Sequence, residues 1–287
     1  MNQLSPDIII NLFFQHYLKN FDSLNLFKTC KHQYSKIKLY KYKGNVRYGL
    51  LENYKNCQVT KIQDVTHLQN LSTAVTHLTF YWSFNEPVDK INLPNSVTHL
   101  TFGVRFNQSV DNLPNSITHL IFGRKFKHPV SNLPNSITHL TFKWSFDQRV
   151  NYLPNSITHL NFGYRFNKQV DNLPNSVTHL TFGYSFNQSV DYLPNSITSL
   201  NFGHNFNQAV NHLPNSINQL SFGYEFNQSV ENLPTLITHL SFGAKFNQSV
   251  NNLPKSITHL TLSKQYSDHS LDNLSKSIKV KFLRIYM

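Results

Sequence analysis

From Leu71 onward, apolar residues return to the same six places in every stretch of 20 residues. In the stretch beginning at Leu173 they are Leu173, Val177, Leu180, Phe182, Phe186 and Val190. Leu180 and Phe182 flank polar Thr181, the two-residue alternation of a strand with one buried face. Gly183 ends that run and allows a turn. Pro174 has no N–H to give a sheet ladder and belongs outside it, on an extended convex segment. No part of the unit has a 3.6-residue period, and twenty residues leave little room for a helix after a strand and two bends. The pattern predicts one short strand and one extended return per unit.

The unit recurs with unusual regularity. Leu-Pro stands at Leu93-Pro94 and then every 20 residues through Leu253-Pro254. A looser copy begins at Leu71, where Ser72 replaces proline and the unit is 22 residues long, and another begins at Leu274. This makes ten units and a partial eleventh. Six buried side chains do not offset the backbone entropy of ordering twenty residues, so no unit folds alone. Neighbours must bury one another's faces and complete one another's strand hydrogen bonds. The expected fold is a β-rich, leucine-rich-repeat-like solenoid: a parallel sheet of about ten short strands with an extended convex side. Phe102, Phe122, Phe142 and their counterparts through Phe242 should form one internal spine, and Phe106 through Phe246 a second.

The remaining sequence sets this repeat array within a larger plan. Residues 1–40 read as a small helical segment, 41–70 as a connector and cap, 71–273 as the solenoid and 274–287 as a C-terminal cap strand. Ser5, Pro6 and Asp7 suit a helix start, with Ile8, Ile9, Leu12 and Phe13 on one apolar face. Asp22 or Ser23 can cap a second helix carrying Leu24, Phe27 and Cys30. Val59, Ile62 and Val65 can make an imperfect first strand, and Ile278 to Phe282 an edge strand with outward lysines.

Whole-chain composition narrows the function classes. Hydrophobic residues are 39% of the 287, and the 23 phenylalanines must supply much of the buried area. Two cysteines, Cys30 and Cys57, cannot make a disulfide framework. The first ten residues lack the basic start and cleavage site of a signal peptide, and no apolar run is long enough to span a membrane. These features lead to the expectation of an intracellular, cytoplasmic protein that is monomeric apart from its partners. The formal net charge of +12 raises nucleic acid as a partner, but residues 1–61 hold 10 Lys/Arg against 3 acids while the long middle is nearly balanced. Nucleic acid is therefore disfavoured.

The unit Leu-Pro-Asn-Ser-Ile-Thr-His-Leu-Thr-Phe-Gly-x-x-Phe-Asn-Gln resembles the FNIP repeat, a relative of the leucine-rich repeat found in social amoebae and in giant viruses of amoebae. Leucine-rich repeats place an Asn three positions after the second inward strand residue. Here Arg105, Lys125, Ser145, Arg165 and Ser185 hold that position, and an Asn ladder is expected two residues later, interrupted by Lys127 and Asp147. Leu4-Ser-Pro-Asp-Ile-Ile, with Asp22 to Lys31 and Tyr34, resembles an F-box. That resemblance implies docking on a Skp-type adaptor of a cullin ubiquitin ligase. Pro6, Ile8, Ile9, Leu12, Leu24, Phe27 and Cys30 would then lie at or under the adaptor face, and the repeats would hold the substrate. A stand-alone repeat scaffold is the alternative.

Strand alternation turns the residues between inward Leu and Phe outward. One outward column holds His99, His119, His139, His159 and His179. A metal site wants convergent ligands, often with a carboxylate, and no acid enters this column. No metal or other cofactor is expected. Just past the strand, the varied pairs supply Arg105, Arg124, Lys125, Trp144, Tyr164, Arg165, Tyr184 and Tyr224, residue types that carry binding energy at interfaces. No nucleophile elbow or phosphate loop is present, so the chain reads as a protein-binding module and not an enzyme.

Overall fold

The inward Leu of each unit becomes the centre of a strand, paired with the same Leu of the units on either side. The structure, a computed structural model, describes residues 41–47, 58–65, 75–266, 271 and 274–283. The chain divides into two compact units, residues 1–42 with 56–58 and residues 43–55 with 59–287. The expected N-terminal helices, with Pro6, Ile8, Ile9, Leu12, Leu24, Phe27 and Cys30, lie outside the described residues.

One sheet runs in strict chain order through 13 strands. It starts with β1 (Lys41–Arg47), β2 (Gln58–Val65) and β3 (His77–Phe80). There follow β4 (His99–Thr101), β5 (His119–Ile121), β6 (His139–Thr141), β7 (His159–Asn161) and β8 (His179–Thr181). The series ends with β9 (Ser199–Asn201), β10 (Gln219–Ser221), β11 (His239–Ser241), β12 (His259–Ser263) and β13 (Lys279–Leu283). From β2 onward every neighbouring pair is parallel, and from β3 to β12 the register matches unit for unit, Leu160 opposite Leu180 and Leu180 opposite Leu200. Helix is confined, among the described residues, to one short 3-10 turn at Val88–Lys90 in the lengthened first unit.

The return is less extended than the spacing predicts. Within it, the N–H of Ile117 donates to the carbonyl of Pro114 at 3.2 Å, closing a turn over Asn115-Ser116, and the same bond recurs unit after unit. Proline fits before the turn because only its carbonyl is used there. Most units place a glycine at the bend, where the backbones approach closely: a Cβ on Gly183 would lie 1.9 Å from the carbonyl oxygen of Gly163.

Three further ladders join the units. At the bend, the N–H of Lys125 donates to Val104 O at 2.9 Å, and that of Arg165 to Trp144 O at 2.9 Å. Beside the proline turn, the Ser136 hydroxyl donates to Ile117 O at 2.7 Å. The third is the asparagine ladder, in which the N–H of Asn187 donates to Asn167 Oδ1 at 2.9 Å and that of Asn207 to Asn187 Oδ1 at 2.9 Å. Asp147 does not interrupt this ladder, contrary to expectation, because its Oδ1 accepts the Asn167 N–H at 2.9 Å. Lys127 does interrupt it, since an ammonium side chain has no acceptor.

The core holds the two phenylalanine spines, merged into one. Phe162 and Phe166 of one unit stack at 3.8 Å between centroids, while Phe162 meets Phe182 at 5.7 Å and Phe166 meets Phe186 at 6.1 Å. Each ring thus has partners within its own unit and in the units on either side. At the far end, Val280 and Phe282 pair with Leu260 and Leu262 in the inward columns yet stay exposed, with Lys279 and Lys281 in the outward ones.

Candidate functional site

The outward face of the sheet carries two columns with different chemistry. The first is the histidine column. Its rings stack with centroids 4.0 Å apart from His99 to His119, 4.1 Å from His119 to His139, and 4.2 Å for each step from there to His179. Ser199 and Gln219 break the run, and it resumes at His239 and His259.

Threonines set the tautomer. The Thr118 hydroxyl donates to Thr98 O at 3.2 Å and lies 2.9 Å from His119 Nδ1. A hydroxyl has one hydrogen, so with that hydrogen on the carbonyl it accepts from Nδ1–H and leaves Nε2 as the outward acceptor. The same arrangement holds for His99, His139, His159 and His179. Stacked rings carry their lone pairs side by side and do not aim them at one point. Among the described residues no group of three or more His, Cys, Asp or Glu is placed to hold a metal ion. Burial holds the His119, His139 and His159 rings below the usual imidazole range, and repulsion between the column's own members lowers them further.

The second column stands at the bend that follows each strand, at the first of the two varied positions. Arg124 places its guanidinium 4.3 Å from the centroid of Trp144. Trp144 stacks on Tyr164 at 4.1 Å, Tyr164 on Tyr184 at 4.5 Å, Tyr184 on His204 at 4.3 Å, and His204 on Tyr224 at 4.8 Å. At the far end Lys245 Nζ lies 5.6 Å from the Tyr224 ring and 2.7 Å from Glu225 Oε2. The result is one π column of five rings, unbroken over five successive units, with a cation from the neighbouring unit at each end. The bend ladder explains it, because one hydrogen bond per unit holds every ring at the same height as the last.

The structure thus brings Arg124, Trp144, Tyr164, Tyr184 and Tyr224 into a single feature. Arg105 joins a separate, shorter one, 4.5 Å from the Trp82 ring. Lys125 and Arg165 occupy the second varied position and are exposed, as are Trp144 and Tyr184 at 37% each. His99 to His179 form their own column on the strands. Sequence reasoning left Trp82 and the ring of His204 out of the site. The signal for both was present, since each shares a repeat position with Trp144.

Comparison with known proteins agrees with this geometry. The FNIP Repeat family model matches residues 67–104, 106–145, 149–185, 169–191, 186–225 and 226–265. A solved structure described as "CroV588 a novel circular LRR protein structure" is similar at 46% identity and a TM-score of 0.69, over 77% of this chain and 35% of that one. The present chain therefore spans about a third of that protein's length. A leucine-rich repeat protein from Bacteroides ovatus is similar over 81% of this chain and 68% of that one, at 13% identity and a TM-score of 0.21, too distant to add to the fold assignment. None of the curated proteins matches. With the family model matching well over half of its residues, and the repeat forming a leucine-rich-repeat-like solenoid, this chain belongs to the FNIP repeat family.

Proposed function

We propose that this chain is the substrate-recognition subunit of an SCF-type ubiquitin ligase. In this reading the F-box-like residues Pro6, Ile8, Ile9, Leu12, Leu24, Phe27 and Cys30 dock on a Skp-type adaptor, and the solenoid holds the protein to be modified. The observation that carries it is the pairing of an F-box-like motif with an outward face that concentrates Trp, Tyr and Arg in one ordered column. Such residues dominate binding energy at protein interfaces. They are held rigid here by the bend ladder, so little side-chain entropy remains to be lost on binding.

Capture on an immobilised Skp-type adaptor tests the reading. Wild type should be retained, and Leu24→Asp/Phe27→Asp should be lost while its thermal melt stays unchanged. Retention of the double variant, or no capture of wild type, removes the ligase role. It leaves the second reading, a repeat scaffold whose interactions need no adaptor, which the self-contained ladders of the solenoid favour.

A further inference from the structure

The bends of four successive units carry Arg105, Arg124, Lys125, Lys143 and Arg165, all exposed, and no acid occupies the same positions in those units. Lys143 stands where most other units have the bend glycine. Among the described residues the ion pairs are Lys168 with Asp147, His212 with Asp191 and Lys245 with Glu225, so none of the five cations is neutralised. Two are pre-positioned. The Arg105 and Arg124 guanidiniums lie over Trp82 and Trp144, an arrangement that fixes the planar group and leaves its N–H edges free for a carboxylate fork. The opposite end of the π column differs, because there Glu225 neutralises Lys245. The ledge is therefore basic at one end and neutral-aromatic at the other.

We infer that this ledge binds an acidic, extended protein segment, with its carboxylates on the Arg105–Arg165 cations and its following residues along the edges of Tyr164 to Tyr224. The inference rests on the protein-binding reading above and deepens it by naming the partner's chemistry. Strands ~4.8 Å apart place four successive bends over ~14 Å, which ~4 to 5 residues of extended chain match. A run of consecutive acids is the fitting sequence, since cations recur at every unit. The rings argue against single-stranded nucleic acid, which relies on open aromatic faces to stack its bases. With centroids 4.1–4.8 Å apart from Trp144 to Tyr224, the faces inside the column are already taken and only edges are offered.

Fluorescence anisotropy of the full chain with a fluorescein-labelled hexaglutamate peptide tests this. Hexaglutamate should bind and weaken as salt is raised, and hexaglutamine should not bind. Arg124→Glu/Arg165→Glu should lower the affinity at least ~10-fold, as two close charge pairs are lost. Arg149→Glu/Lys255→Glu makes the same change of charge on the return segment and should stay within about twofold, since it leaves the ledge charges in place. If the first pair does not fold, Lys125→Glu/Lys143→Glu replaces it. Failure of hexaglutamate to bind, or equal loss in the ledge and return variants, overturns the inference. So does an oligouridylate of equal charge that binds more tightly and displaces the peptide. Adaptor capture is measured on the same preparations: lost peptide binding with intact capture sinks the ledge alone, and lost capture with intact peptide binding sinks the ligase reading alone.

Discussion

The Oδ1 of Asn207 accepts the backbone N–H of Asn227 at 2.9 Å and the side-chain N–H of Gln228 at 3.1 Å, so one amide oxygen fastens the following unit at two points. Asn207→Ala should cost ~1–3 kcal/mol, since it strands a half-buried backbone donor. Asn207→Asp should recover most of the loss, because Asp147 already serves Asn167 in this way. Denaturant melts of the two variants check both statements; equal damage from Ala and Asp would mean that the acceptor oxygen does not matter.

The unit that begins at Leu233 lacks a rung. Ser216 donates its hydroxyl to Ile197 O at 2.6 Å and Ser256 to Ile237 O at 2.6 Å, but Leu236 holds the intervening position and is 59% exposed. Leu236→Ser should restore the bond to the Ile217 carbonyl and raise stability by ~0.5–1.5 kcal/mol. A melting temperature unchanged or lowered in this variant would contradict the role assigned to the serine ladder.

Phe166 is wholly buried, stacked on Phe162 at 3.8 Å and flanked by Phe146 and Phe186 at 6.2 and 6.1 Å. Phe166→Ala should cost ~3–5 kcal/mol, as the ladders on either side keep the cavity from collapsing. Phe166→Leu should cost less because it refills most of the volume. A loss below ~1 kcal/mol for the alanine variant in urea would be incompatible with the merged spine.

The histidine column should make the fold acid-sensitive. His119, His139 and His159 titrate below their ordinary value of 6.5 in the folded chain. The unfolded chain therefore takes up protons first as pH falls, and stability present above pH ~6.5 is lost progressively below it. The melting temperature should be flat above neutrality and fall between pH 7 and 5.5. Replacing the three with Gln, the residue that naturally stands at position 219, should flatten that fall. A profile unchanged by the replacement would place the acid sensitivity elsewhere.

Much of this fold was legible because a repeat states each instruction many times. Alternating Leu and Phe about a polar residue sufficed to predict the strand, the parallel neighbour and the inward rings. The extended return was only half right, since a turn closed from Pro114 O to the Ile117 N–H has no hydrophobic signature. Asp147 was misjudged for a chemical reason: as an acceptor a carboxylate replaces an amide carbonyl, although as a sequence symbol it breaks the pattern.

The candidate site divides along the same line. Sequence alone determined which residues face outward and that Arg, Trp and Tyr collect beside the strand, because period-two geometry and a 20-residue repeat leave them no other place. Only the tertiary structure decided that Trp144, Tyr164, Tyr184, His204 and Tyr224 close into one stack, and that Arg105 and Arg124 are held on tryptophan faces without a carboxylate partner. Ring contacts depend on the height and rotation of one unit over the next. Those are set by the hydrogen bonds between units, which no single unit contains.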